Sequence, residues 1–173
     1  MVAGSILPIT IHNDKLYFLF GKENELEKSA KGWSDFGGRA EAGETPYKAA
    51  LREGSEELTG FLGNKNQIQK LINKNGGVFK ITHNSYHVHM FFLKYDENLP
   101  KYFNKNHYFL WNNMNQAELH KTKLFEKIEI DWFSKEDIRR RRKDFRPFYK
   151  NILDLINRNI INIETFAKQK ENI

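Results

Sequence analysis

Three glutamates and an arginine crowd into Arg52-Glu53-Gly54-Ser55-Glu56-Glu57. If this segment is helical, 100° per residue places Glu53, Glu56 and Glu57 within an arc of about 100°, with Arg52 on its flank. Like charges at i, i+4 cost an isolated helix about 0.2–0.5 kcal/mol per pair, and an interior glycine costs about 1 kcal/mol more. A hard divalent cation would offset both, since Mg²⁺ takes oxygen ligands, keeps some waters and binds through carboxylates together with substrate phosphates. An E-x-x-E-E stretch standing alone is more often a solvated acidic face. The residues before it decide between the two.

Those residues belong to the elements that must position the carboxylates. Thr45 suits an N-cap and Pro46 the first helical position, and Thr59-Gly60 supplies a stop, so the spacing predicts a helix over about Pro46 to Leu58. Ahead of it, four glycines between Gly32 and Gly43 predict a loop or short strand with close backbone approach. Ser5 to Phe20 predicts a hairpin of two strands turning at His12-Asn13-Asp14. A polar Asn/Lys stretch follows the helix, and Val78 to Tyr95 then returns to strand character, with Tyr86, Val88, Met90 and Phe92 alternating against His87, His89 and Phe91. Lys127 to Phe133 is a further strand. Ser134 and Asp137 form a capping-box start to a short helix carrying Arg139 to Lys143. Apolar residues from Phe148 to Ile160 at helical spacing predict a last helix over about Arg146 to Ile161. This order gives a mixed α/β class.

The order Gly37-Gly38, five residues, Glu44, seven residues, Arg52-Glu53, two residues, Glu56-Glu57 resembles the Nudix hydrolase box, G-x5-E-x7-R-E-U-x-E-E-x-G-U, where U is a bulky aliphatic residue. The box runs from Gly38 to Gly60 and departs from the pattern at Gly54, Thr59 and Gly60. Trp33 to Gly38 is similar to a common lead-in, and Glu129 to Phe133 to a late strand. The resemblance covers roughly residues 5 to 161 of a single domain spanning 1–173. It implies a Nudix-type α/β/α sandwich with a mixed sheet, a catalytic loop–helix–loop and Mg²⁺ or Mn²⁺ as cofactor. By position, Glu53, Glu56 and Glu57 become metal ligands, Gly38 lends its carbonyl, and Glu44 holds Arg52, which orients the carboxylates. Glu126 and Glu129 are candidates for a base outside the box.

The rest of the composition narrows the substrate. Residues 1–98 carry 12 Lys/Arg against 12 Asp/Glu and residues 99–173 carry 16 against 10, so the net charge of +6 lies wholly in the C-terminal part. With no cysteine there is no disulfide, thiolate nucleophile or Cys-based zinc site. No apolar run approaches the roughly 20 residues that span a bilayer, and no basic segment precedes the first one, so a cytoplasmic protein without membrane contact is expected. His83, His87 and His89 fit substrate contact or a surface strand better than a metal site. Arg139, Arg140, Arg141, Arg142 and Lys143 could attract a polyanion such as RNA. Trp33 and Trp111 are the aromatics expected to stack on a base, and Arg39 joins them and Arg139–Arg142 as a substrate contact. The reading is a pyrophosphohydrolase of a nucleotide or a capped RNA 5′ end, leaning toward decapping. Diphosphoinositol polyphosphates and dinucleoside polyphosphates are the alternatives. A catalytically silent RNA-binding module of the same fold is the alternative from another class, and the intact glutamates argue against it.

Overall fold

The computed structural model describes residues 1–26, 31–119, 121–122 and 125–173. The chain opens on the expected hairpin, β1 (Ala3–His12) and β2 (Lys15–Glu23). Asn13 and Asp14 take positive φ at its tip, as a tight hairpin turn requires. β1 is the organising strand. One edge pairs with β2 and, nearer its start, with the antiparallel β4 (Phe36–Arg39), while the other edge pairs in parallel with β6 (Tyr86–Phe92). β3 (Trp33–Ser34) and β7 (Lys127–Ser134) flank β2, and β5 (Val78–His83) closes the far side against β6.

Strand alternation sends side chains to two separate cores. Ile6, Leu19, Phe36, Phe91, Ile130 and Trp132 meet α1 (Pro46–Glu57), α2 (Lys65–Lys74) and α3 (Asn98–Asn113). Leu7, Ile9, Phe18, Phe20, Met90 and Phe133 meet α6 (Tyr149–Arg158) and α7 (Ile160–Lys170). This is the α/β/α sandwich, in which a sheet with two apolar faces is covered by helices on each side. A single-turn α4 (Gln116–Leu119) follows α3, and α5 (Lys135–Arg140) follows β7.

Several boundaries differ from the sequence-based expectation. The strand-like stretch from Val78 to Tyr95 is a hairpin, broken where Asn84 adopts a positive φ. The spacing predicts one last helix over 146–161. It is two, over 149–158 and 160–170, because Ile163 and Ala167 continue the buried stripe beyond Asn159. The helix carrying the basic run stops at Arg140, and Arg142–Asp144 form a 3₁₀ turn, although the Ser134–Asp137 capping box forms as expected. Neither α2 nor α3 stood out in the sequence. α2 buries only Ile68 and Ile72, and its signal was the capping box Asn64-x-x-Gln67. α3 carries Pro100 in its first turn and several asparagines, which mask its buried positions Pro100, Phe103 and His107. No described helix is long and apolar enough to cross a membrane.

Candidate active site

Helix α1 starts as its cap residues require, with the Lys48 backbone N–H donating to Thr45 Oγ1 at 3.2 Å. It rests directly on β1, for a Cβ at Gly4 would lie 1.8 Å from the Pro46 carbonyl oxygen. The departures from the box pattern have structural answers. Gly54 is buried, and a Cβ there would lie 2.4 Å from Ile6 Cδ1, so β1 supplies the aliphatic group that the helix lacks. At the other end Thr59 and Gly60 both take positive φ, so the left-handed exit turn begins on a threonine. That conformation costs a β-branched residue about 1–2 kcal/mol.

Two ion networks hold the helix carboxylates. In the first, Arg52 donates through Nε and Nη2 to the two Glu44 oxygens at 3.1 and 2.9 Å and through Nη1 to Glu53 at 2.6 Å, with Glu56 at 3.9 Å. A fourth bond, from Nη2 to the Arg39 carbonyl at 3.0 Å, ties the guanidinium to the end of β4. The guanidinium holds the Glu44 carboxyl below the usual carboxylate range, and Glu44 in turn raises Arg52. Gly38 makes room for this arrangement, since a Cβ there would sit 2.6–2.9 Å from the Glu53 carboxylate.

The second network is buried. Glu57 is 4% exposed and accepts the Gly37 backbone N–H at 2.8 Å. Its other oxygen lies 3.9 Å from Lys127 Nζ, which donates to Glu23 Oε1 at 2.7 Å and to Ser34 Oγ at 2.8 Å. Arg146 Nη1 also donates to Glu23, at 2.7 Å. Burial pushes the Glu57 carboxyl well above its ordinary value, opposed by the Lys127 charge. Lys127 reaches this position because the β2–β7 register slips between Lys22 and Glu23, leaving Ile128 as an extra residue in a bulge that re-aims the start of β7. Its stem fills the space over Gly21, where a Cβ would lie 2.9 Å from Lys127 Cδ. Beside this network, Asp35 accepts from Ser5 Oγ at 2.6 Å and the Tyr86 hydroxyl at 2.5 Å, and its burial raises its pKa.

The donor set on α1 is oxygen only, the set that Mg²⁺ or Mn²⁺ prefers. Glu53, Glu56, Glu57 and the Gly38 carbonyl therefore fit a divalent metal chemically. Among the described residues, however, no three carboxylate or imidazole groups already converge as a metal cage. Arg52 and Lys127 hold the carboxylates instead. The three strand histidines form no such group either. His89 is buried, with its Nδ1 3.1 Å from the Ser5 carbonyl oxygen and its ring 5.1 Å from that of Tyr47.

The expected substrate residues separate. Arg39 lies exposed at the end of β4, beside the box carboxylates that its carbonyl helps to hold. Trp111, on α3, lines a groove of about 400 Å³ with His107, Tyr108, Glu25 and Glu129. α3 packs on the same side of the sheet as α1, and Thr59 Oγ1 at the exit of α1 lies 3.5 Å from His107 Nε2. Trp33 is the correction. At 2% exposure it packs edge-on against Phe133 in the opposite core, where its ring offers no face to a base. The arginine run also lies on that opposite side. Arg141 stacks over Phe133 and Trp33 at 4.4 and 5.0 Å and reaches Asp144, while Arg140 pairs with Asp137 and Arg142 with Asp154. Arg139 is exposed beside Arg142 along a groove between α5 and α6.

The sequence pattern of the NUDIX domain matches residues 4–156, nearly the whole sandwich. The chain belongs to the Nudix family. Its members are hydrolases that act on pyrophosphate bonds and generally use divalent metals. Among curated proteins, "Uncharacterized protein L534" of Acanthamoeba polyphaga mimivirus is 42% identical over 59 residues. That match covers 33% of this chain and only 19% of the viral protein. Among solved structures, a Caenorhabditis elegans Ap4A hydrolase in a binary complex shares the Nudix fold with a TM-score of 0.54 at 15% identity, covering 93% of this chain and 97% of that one. The Nudix domain of Shewanella oneidensis NrtR, complexed with ADP ribose, superimposes with a TM-score of 0.48 at 10% identity over 92% of this chain and 88% of that one.

Lys127 and Glu23 were not singled out as site residues from the sequence. The signal available was a lone cation at the head of the apolar strand Lys127 to Phe133, which acquires meaning only once β7 is paired with β2.

Proposed function

We propose that this Nudix chain is a divalent-metal-dependent pyrophosphohydrolase that cleaves the diphosphate linkage of a nucleotide or of a capped RNA 5′ end, with the base seated against Trp111. The groove carries this reading. It is of ligand-binding size, it has an aromatic wall, and it lies on the α1 side of the sheet. The arginine run supports RNA less than its sequence suggests, because Arg140, Arg141 and Arg142 each already have an acidic partner and lie across the sheet from α1. A small nucleotide such as a dinucleoside polyphosphate, the class named for the C. elegans protein of the same fold, needs only the groove and the box.

Glu53, Glu56, Glu57 and the Gly38 carbonyl would hold the metal. When bound it neutralises phosphate charge and lowers the pKa of the attacking water. Arg52 keeps Glu53 and Glu56 facing the substrate, and Arg39 meets its phosphates. Of the two candidate bases, Glu126 is near enough to bear on the charge of Glu57, whereas Glu129 lines the groove. Both are therefore kept as candidates to take the proton from water, and Glu129, on the groove wall, also faces the nucleotide base.

A panel of dinucleoside polyphosphates, capped RNA, sugar nucleotides and inositol pyrophosphates, each with Mg²⁺ and with Mn²⁺, tests this reading. Turnover should be confined to substrates carrying a base, and Trp111→Ala should raise KM for them by roughly tenfold, the loss of one stacked ring. Preferred turnover of inositol pyrophosphates, unaffected by Trp111→Ala, would replace the nucleotide reading.

A further inference from the structure

We propose that Lys127 is a built-in counter-cation of the site: its ammonium already places a positive charge beside Glu57, which a divalent metal held by that carboxylate would have to face, so that metal binds the free protein weakly and enters together with the diphosphate substrate. The inference rests on the reading of Glu57 as a metal ligand. Glu44, Glu53 and Glu56 lie within reach of Arg52, and Glu57 and Glu23 within reach of Lys127, so each of these carboxylates faces a protein cation before any metal arrives.

The two cations are not equivalent. Arg52 is a planar fork fixed by four hydrogen bonds, including one to the Arg39 carbonyl. Lys127 is a single ammonium on a stem packed over Gly21, hydrogen-bonded to Glu23 and Ser34, and only its charge, at 3.9 Å, reaches Glu57. A divalent ion at Glu57 meets this fixed positive charge in a setting with almost no water, as Lys127 is 1% exposed. Repulsion at such a distance is weakly screened. A diphosphate bound beside the metal adds the negative charge that restores the balance, which is why metal and substrate should arrive together. Lys127 is in these terms a positioning residue, and it also lets the buried carboxylates fold in the absence of metal.

The test is calorimetric titration of Mn²⁺ into the full chain without nucleotide. Lys127→Met keeps the stem that fills the space over Gly21 and removes only the charge, and Lys127→Gln keeps a donor for Glu23. Either variant should bind Mn²⁺ at least about tenfold more tightly than the wild type and reach half-maximal hydrolysis at a lower metal concentration. Adding Glu57→Gln to Lys127→Met should abolish the gain. A merely structural lysine would lower the melting temperature without tightening metal binding. Unchanged or weaker Mn²⁺ affinity in a folded variant overturns the proposal, as does failure of both variants to fold, which would make Lys127 a structural requirement. If Glu57→Gln alone leaves Mn²⁺ binding intact, it is the ligand reading of Glu57 that fails. If it weakens binding while Lys127→Met does not strengthen it, only the counter-cation fails.

Discussion

The two ion networks around α1 use the same chemistry, a protein cation among carboxylates, yet they are built in opposite ways. The Arg52 network draws its side chains from residues 41 to 56 of one loop and one helix, and Arg52 keeps 16% of its side-chain surface in solvent. The Lys127 network is assembled from β2, β3, α1, β7 and the segment before α6, and its lysine side chain has no exposed surface. The contrast separates two jobs. Partly solvated charges on one loop and one helix can change partners at little cost to the fold. Charges from four segments, joined by a serine from a fifth and centred on a lysine with no exposed side chain, are coupled to the packing of the whole sheet.

The sharpest way to break this comparison is to remove an acid from the buried network. Glu23→Ala would leave Lys127 and Arg146 without their shared carboxylate, and an uncompensated buried pair typically costs about 3–5 kcal/mol. Chemical denaturation should show a loss of that size, and a loss below about 1 kcal/mol would mean that the network is hydrated and no different from its partner. Arg52→Ala should show the opposite profile. Turnover should fall by roughly ten- to hundredfold, the usual cost of removing a group that orients a metal site, while the melting temperature changes little. A large stability loss with unchanged turnover would remove Arg52 from the site. The smallest effect is expected from the arginine run. Each of Arg140, Arg141 and Arg142 is paired with a single acid at or near the surface, where such pairs are worth about 0–1 kcal/mol. Replacing Arg139 to Arg142 with glutamine should leave cleavage of a short nucleotide essentially unchanged. A selective loss of kcat/KM on long capped RNA, shrinking as salt rises, would instead show that these arginines exchange their acids for phosphates.

The arginine run also shows why clustering in sequence misleads. Four consecutive arginines look like one binding surface, but α5 ends at Arg140 and the chain turns, and Arg140, Arg141 and Arg142 each take a different acidic partner. Arg141 is spent stacking on Phe133 and on Trp33, the aromatic that the sequence had suggested for a base. An alternating or glycine-rich context tells which residues are near a strand, but not which face of the sheet a tryptophan will take. Trp111 illustrates the reverse case. It is half-buried and lines a groove because it lies on α3, a helix whose asparagines and proline hide it from the sequence pattern.

The sequence by itself determined what a short stretch of backbone can determine: the hairpin β1–β2, the capped helix from Pro46, the glycines that let Glu53 approach β4, and the spacing that puts Glu53, Glu56 and Glu57 near one another. These depend on local geometry, with helical periodicity, cap chemistry and turn conformation acting within a few residues. Tertiary structure alone decided that Ile6 fills the place left by Gly54, that Trp33 is core and Trp111 is groove wall, and that Lys127 stands beside Glu57. These follow from strand pairing, from the packing of α1 and α3 on the sheet and from one bulge in β7, which together bring side chains up to 123 positions apart into contact, as in the bond from Arg146 to Glu23. Such pairings are fixed by burial of the sheet as a whole, and no local pattern carries them.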